Sequence, residues 1–233
     1  MARLARLVVP GLPHHVTQRG NGRAQTFFGD DDYRLYRDLL AGACRAAKVE
    51  VWAWVLMPNH VHLILNPSDA DGLRRALAPA HRRYAGHVHA RQRLTGHFWQ
   101  GRFGSVVMDE DHLAAALRYV ALNPVRARLV ARAEDWPWSS VRAHLAGRDD
   151  GLASVAPVLS RYPSFADLLD LGPDEAGFER LRRAESIGRP LGEEAFIARL
   201  EAATSRPLRP ARRGRRRSAP SDGAGDLIGA LSP

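Results

Sequence analysis

The sequence predicts an α+β fold: a ferredoxin-like antiparallel sheet of βαββαβ order, followed by one further helix and a basic helical extension. Three observations predict it. Short segments alternate apolar residues with period two, longer segments repeat them at helical spacing, and turn residues separate the segments. The chain has 233 residues, of which 45% are hydrophobic and 25% are charged, so it can bury a substantial core.

The first half of this unit begins with the segment HHVTQRGN, which predicts a strand that ends at a Gly-Asn turn. DDDYRLYRDLLAGACRAAK follows, and its acidic first turn and helical spacing of apolar residues predict a helix. VEVWAWVL alternates as a strand, MPN predicts a turn, and HVHLIL predicts the returning strand.

The second half contains two helices and one strand. The pattern predicts a helix from Ser68 to about Leu94, which Pro79 is expected to bend or restart. GSVVM predicts a short strand. DEDHLAAALRYVALN predicts a helix with an acidic start, and we expect Pro124 to end it.

Composition divides the chain into three predicted parts. Residues 1–130 hold the sheet and its helices, and residues 131–205 are predicted as a helical extension. Residues 206–233 are predicted as a disordered tail, whose first twelve positions contain seven arginines, among them Arg212 and Arg213. Such a tail suits a phosphate backbone, and the net charge of +9 agrees with a polyanionic partner. A solvated tail in a chain that favours arginine is the alternative.

The composition also restricts the cellular setting. No segment approaches the roughly 18 consecutive apolar residues of a membrane span. The single cysteine, Cys44, forbids an intrachain disulfide and is typical of a reducing compartment. We therefore expect a cytoplasmic protein with no membrane partner.

The tripeptide His-Val-His occurs twice, at residues 60–62 and 87–89. Side chains in a strand alternate between two faces, so His60 and His62 are predicted to project from the same face of the sheet. The second copy lies in a predicted helix, where its two histidines point roughly 200° apart and cannot bind one ion together. The first copy is therefore the candidate metal site, although a pair of structural histidines explains the motif as well.

The last predicted helix of the unit offers two partners for this pair. Tyr119 and Asn123 are four residues apart and lie on the same helix face. Tyr119 is a candidate nucleophile or a packing tyrosine, and Asn123 is a candidate ligand or a residue at the end of the helix. His112, on the same face, is a candidate base.

Three stretches together carry a resemblance to a known family: MPNHVHLIL, FWQGRFGSVVMDEDHLAAALRYVALNPVRARLV and DWPWSSVRAH. They resemble the single-tyrosine HUH transposases, specifically the branch of REP-associated tyrosine transposases. PGLPHHVTQRGNGRAQTFF is similar to the opening strand and turn of that family. The similarity resumes more weakly in the segment RRAESIGRPLGEEAFIARLEAATSRPLRP.

The resemblance implies an HUH catalytic domain over residues 1–130, which cuts and rejoins single-stranded DNA next to short palindromic hairpins. It implies that His60 and His62 bind a divalent metal, Mg²⁺ or Mn²⁺, and that Tyr119 forms a 5′-phosphotyrosine. Asn123 takes the position at which related insertion-sequence transposases place a glutamine ligand. The shorter amide has to lie closer to the metal or act through water.

Single-stranded or hairpin DNA is the expected partner, with the protein near the nucleoid as a monomer or homodimer. Residues 131–205 are expected to contact the hairpin. The candidate DNA-binding residues are Arg19, Arg23, Arg102, Arg118, Arg126, Arg212 and Arg213. A non-catalytic, sequence-specific DNA-binding protein that retains the fold is the alternative, as is an ordinary metal nuclease that cleaves with water.

Overall fold

The computed structural model describes residues 6–171 and 174–209, and a four-stranded antiparallel sheet forms its centre. The strands are β1 (His14–Arg19), β2 (Val49–Met57), β3 (His60–Pro67) and β4 (Gly104–Val107). Their order across the sheet is β2-β3-β1-β4. The central strands are therefore β1 and β3, and the first and last strands of the βαββαβ unit, β1 and β4, are neighbours. The predicted ferredoxin-like fold is confirmed.

Two helices cover one face of the sheet. They are α1 (Asp30–Ala47) and α2 (Gly72–Gln92). Val61, Leu63 and Leu65 of β3 are fully buried against them. Of the two outcomes expected at Pro79, a bend or a restart, the restart does not occur: α2 continues through the proline as one helix, because buried residues on both sides of the proline hold it in the core.

A third helix, α3 (Glu110–Arg126), packs on the opposite face, where Leu113 and Leu117 meet Ile64 of β3. The expectation that Pro124 ends this helix was wrong. A proline removes one N–H, and in the last turn this costs at most one intrahelical hydrogen bond. The Pro124 carbonyl still accepts a hydrogen bond from the Leu129 N–H at 2.9 Å, and the ring is buried.

The chain after residue 130 is tied to the same sheet by backbone hydrogen bonds. Leu56 N–H donates to the Trp138 carbonyl, and Ser140 N–H donates to the Trp54 carbonyl, both at 2.9 Å. This pairing covers the free edge of β2. In the described residues after Ser140, five α-helices follow: α4 (Val141–Ala146), α5 (Ala156–Leu159), α6 (Phe165–Asp170), α7 (Glu175–Ile187) and α8 (Glu194–Thr204).

Helix α7 matters most for the site, because it packs on α3 through the buried side chains of Phe178 and Leu181. Of the predicted tail, residues 206–209 are described, and Leu208 is buried beside Leu7 and Phe196. The rest of the tail lies outside the described residues. Within the described ranges, no helix has both the length and the apolar character needed to cross a bilayer.

Candidate active site

The two histidines of β3 lie on the face of the sheet that α3 covers. The ring centroids of His60 and His62 are 4.9 Å apart, and the rings meet edge to face. In the antiparallel register, Thr17 of β1 pairs with His62 and Arg19 pairs with His60. The side chains of Thr17 and Arg19 therefore project from the same face of the sheet as the two histidines. His62 is buried, with 2% of its surface exposed, and His60 is half-buried.

Burial makes both histidines poor proton acceptors. It lowers the pKa of His60 to about 3, with a smaller contribution from the positive charge of Arg19. Burial likewise holds the pKa of His62 well below its ordinary value, reinforced by the neighbouring His15 and His60. Both imidazoles are therefore neutral near pH 7, which is the form that binds metals.

Tyr119 of α3 faces this pair across the cleft. Its ring centroid lies 5.2 Å from that of His62 and 5.9 Å from that of His15. The side chain is 7% exposed, and Phe178 of α7 packs on its other side with ring centroids 5.4 Å apart. One chain thus supplies both the histidines and the tyrosine.

The surroundings of Tyr119 act on its pKa in opposite directions. Burial raises this pKa above 10.0, and the carboxylate of Glu185 adds to the increase. The positive charges of Arg182 and Arg126 and a hydrogen bond from Asn123 act against it. Asn123, half-buried and one turn after Tyr119, therefore contacts the phenol itself.

His112, the candidate base, is held at the start of α3. Its Nδ1 atom lies 2.6 Å from Oδ1 of Asp109, the residue that also caps the helix. His112 is not among the residues that line the cleft around Tyr119.

Two residues that the sequence did not single out complete the arrangement. His15 of β1 is fully buried, and its Nε2 lies 3.0 Å from Nδ1 of His62. Nδ1 of His15 lies 3.0 Å from Oε1 of Glu185, which α7 carries, and the same oxygen lies 4.0 Å from Nδ1 of His62. The period of two on β1 could have identified His15, because it shares a face with Thr17 and Arg19; nothing local marked Glu185.

A cleft of about 400 Å³ opens above these groups. Four arginines line it, which are Arg19, Arg23, Arg102 and Arg182. Glu185 supplies a carboxylate in the same cleft. Gly104 forms part of the wall, where an added Cβ would come within 2.8 Å of the Thr17 hydroxyl oxygen. Positive charges outnumber negative ones in this lining, so the cleft favours an anionic ligand.

The other predicted arginines lie elsewhere. Arg118 is 5% exposed and donates a hydrogen bond to the Leu171 carbonyl. Arg126 is exposed, forms an ion pair with Glu175 at 2.7 Å, and lies over the ring of Phe178. Arg212 and Arg213 lie outside the described residues.

The residues present fit a divalent metal. Nε2 of His62 is buried and has no hydrogen-bond partner among the described residues, which is unusual for a buried polar atom. His60 lies beside it, and imidazole nitrogens with an added amide oxygen are a donor set that Mn²⁺ and Mg²⁺ accept when phosphate oxygens complete it.

Comparison with known proteins decides the family. The family model described as "Transposase IS200 like" matches residues 8–123. The chain belongs to the IS200-like transposase family. Tyr119, His60 and His62 all lie within the matched residues.

Two relatives of this IS200-like transposase resemble it in sequence or structure. A REP-associated tyrosine transposase of Haemophilus influenzae is 28% identical over 117 residues, which cover 45% of this chain and 66% of that relative. The match thus spans just under two thirds of the relative. The solved structure of a REP-associated tyrosine transposase bound to a REP hairpin aligns with a TM-score of 0.51 and 24% identity, over 66% of this chain and 90% of that one. This structural likeness supports the fold.

Proposed function

We propose that the protein is a single-stranded DNA endonuclease and strand-transferase of the transposase type, which acts on palindromic, REP-like hairpins through a 5′-phosphotyrosine intermediate. The observation that carries this proposal is the meeting of Tyr119 with His60 and His62 in one basic cleft. The name of the structural relative, a REP-associated tyrosine transposase bound to a REP hairpin, supports the choice of DNA.

The proposed chemistry transfers a phosphoryl group to the protein. The Tyr119 oxygen forms a bond to phosphorus while the bond from phosphorus to the 3′ oxygen breaks. The phenol loses its proton, and the departing oxygen gains one to become a free 3′ hydroxyl. The ester retains the energy of the broken linkage, so a later 3′ hydroxyl can attack it and rejoin DNA without ATP.

The proposed metal ligands are His60 and His62, with the amide oxygen of Asn123 as the third donor. A bound Mg²⁺ or Mn²⁺ ion would polarise the scissile phosphate and offset the charge that develops on its oxygens. Because Asn123 also contacts the Tyr119 phenol, one side chain would connect the nucleophile with the metal. The site draws these residues from a single chain, which is compatible with a monomer or with a homodimer.

The proposed path of the DNA follows the arginines of the cleft, Arg19, Arg23 and Arg102. Guanidinium groups bind phosphates in bidentate geometry and displace counterions, so binding is expected to weaken steeply with salt. Arg118, Arg126 and the tail residues Arg212 and Arg213 remain predicted contacts. Contact of residues 131–205 with the hairpin and association with the nucleoid also remain predictions.

The test is a denaturing gel with an end-labelled hairpin carrying a single-stranded flank, incubated with the protein and Mn²⁺. Wild type should form a covalent protein–DNA adduct, and Tyr119→Phe should abolish it, because phenylalanine has no oxygen to esterify. Tyr162→Phe is the matched control, since Tyr162 is a half-buried tyrosine outside the cleft.

The alternatives give other patterns on the same gel. An adduct that survives Tyr119→Phe would reassign the nucleophile. Cleavage without any adduct would identify a nuclease that uses water, and tight, salt-sensitive hairpin binding without cleavage would identify a non-catalytic DNA-binding protein.

A further inference from the structure

We propose that Arg182 of α7 is a further catalytic residue, whose guanidinium binds the non-bridging oxygens of the scissile phosphate and offsets the charge that develops on them. The proposal rests on the cleavage function proposed above and deepens it. Arg182 lies outside residues 8–123, which the family model matches, and it lines the same cleft as Tyr119. This role makes the C-terminal extension part of the catalytic cleft.

One face of α7 carries three side chains that meet the site. Phe178, Arg182 and Glu185 are spaced four and three residues apart, so they form one stripe along the helix. Phe178, at one end of the stripe, packs on Tyr119 with ring centroids 5.4 Å apart. Oε1 of Glu185, at the other end, lies 3.0 Å from Nδ1 of His15. Arg182 therefore lies level with the gap between the tyrosine and the histidines.

The proposed chemistry brings the scissile phosphate into this gap. In a reactive complex the phosphorus lies about 3 to 3.5 Å from the attacking oxygen, so the phosphate must enter between Tyr119 and the histidines of β3. The other arginines of the cleft belong to β1 or to segments that join the strands, and they are Arg19, Arg23 and Arg102. Among the described residues of the cleft lining, Arg182 is thus the arginine on the same wall as Tyr119.

The guanidinium of Arg182 is available to a ligand. Its side chain is 49% exposed, and its Nη2 atom lies 3.9 Å from the Glu175 carboxylate, which is beyond hydrogen-bond distance. Arg126 already holds that carboxylate through two hydrogen bonds, of 2.7 and 3.2 Å. Among the described residues, the Arg182 guanidinium therefore donates no hydrogen bond that a phosphate would have to break.

An arginine in this position acts mainly on the transition state. Its planar fork of N–H donors matches two oxygens of one phosphate. Those oxygens gain negative charge as Tyr119 attacks, so a donor that faces them stabilises the transition state more than the bound substrate. Tyr119 and His62 are buried, and the low water content of their surroundings strengthens such a contact. Cleavage is therefore predicted to depend on Arg182 more strongly than DNA binding does.

The first experiment measures the rate of adduct formation in a single turnover, with the full chain, the labelled hairpin and Mn²⁺. Arg182→Gln should slow adduct formation about 100-fold, because glutamine carries no charge. Arg182→Lys keeps the charge without the planar fork and should react about 10-fold faster than Arg182→Gln. Arg180→Gln is the matched control: it makes the same change on the same helix, at an exposed position outside the cleft lining, and should react as wild type does.

The second experiment identifies the phosphate that Arg182 contacts. It measures hairpin affinity in the Tyr119→Phe background, with hairpins in which a neutral methylphosphonate replaces one phosphate at a time; the wild-type adduct maps the scissile position. On the unmodified hairpin, adding Arg182→Gln should weaken binding about 10-fold. With the methylphosphonate at the scissile position, the same change should weaken binding less than about 2-fold, because the charge that Arg182 binds is already absent. With the methylphosphonate elsewhere, the loss of about 10-fold should remain.

The outcomes separate this proposal from the proposed function. If wild type forms the Tyr119 adduct and Arg182→Gln forms it as fast as Arg180→Gln does, Arg182 has no catalytic role and the function stands. The role is also overturned if Arg182→Lys reacts no faster than Arg182→Gln, or if the loss of affinity persists with the scissile methylphosphonate. If wild type forms no adduct, the proposed function fails, and the role of Arg182 fails with it.

Discussion

The tripeptide His-Val-His occurs in β3 and again near the end of α2, and the two copies have very different surroundings. In β3, His62 is buried against His15, and His60 borders the cleft. In α2, His87 is exposed and His89 is half-buried beside the ring of Phe98. The same residues therefore line the cleft in one place and form part of a helix surface in the other.

The central valines show what the copies share. Val61 and Val88 are both fully buried in the same apolar cluster, between the sheet and its two covering helices. With the valine turned inward, a strand turns both histidines to its other face, whereas a helix spreads them over two directions. The copy in β3 has a second packed layer over its histidines, formed by α3 and α7, and this layer supplies Tyr119 and Glu185.

The largest expected difference between the two His-Val-His copies is in how much the loss of their histidines reduces DNA cleavage. His60→Ala with His62→Ala should reduce Mn²⁺-dependent cleavage of the hairpin by roughly 1000-fold or more, because the charge on the phosphate loses its stabilisation. The equivalent double change, His87→Ala with His89→Ala, should leave the rate within about 2-fold of wild type. Single-turnover cleavage measures both, and equal losses would remove the distinction between the copies.

A second prediction concerns His81, a buried histidine that α2 carries ahead of its His-Val-His copy. Its Nε2 lies 2.9 Å from the Tyr36 hydroxyl, and burial lowers its pKa to about 3 from 6.5. The unfolded chain therefore takes up a proton at higher pH than the folded one. The stability contributed by neutral His81 is complete above pH 6.5 and is lost as pH falls towards 3, by up to about 4 kcal/mol.

Urea denaturation at several pH values checks this prediction. His81→Gln keeps an acceptor for the Tyr36 hydroxyl but does not titrate, so its free energy of unfolding should fall less steeply with acid than that of wild type. Cleavage near pH 7 should be retained, because His81 lies outside the cleft of Tyr119. If the free energy of unfolding of His81→Gln falls with pH as steeply as that of wild type, His81 is not the cause of the loss of stability in acid.

The smallest expected difference is between the two valines. Val61→Ala and Val88→Ala each create a cavity in the same cluster and should each cost about 2 to 3 kcal/mol of folding stability. Val88→Ala should be the milder change by about 0.5 kcal/mol, because alanine has the higher helix propensity. Urea denaturation measures both, and a larger loss at Val88 would indicate that strand and helix context matter less than packing.

Local patterns predicted how most of the candidate site is arranged, although one local rule failed. The period of two on β3 correctly predicted that His60 and His62 share a face, and the helical spacing correctly put Tyr119 and Asn123 on one side of α3. Pro124 was expected to end α3, but the helix continues to Arg126. The loss of one hydrogen bond in a last turn is small compared with the burial of Pro124 and the packing of Val125 on the apolar cluster around α3.

The sequence by itself determined the elements, because apolar periodicity and turn residues act over a few neighbouring positions. It also determined which face of β3 presents the histidines. Only the tertiary structure decided what lies opposite them. Glu185 reaches His15 because α7 docks on α3 through Phe178 and Leu181. That docking depends on contacts between residues far apart in the chain, and the local periodicity of apolar residues does not predict such contacts.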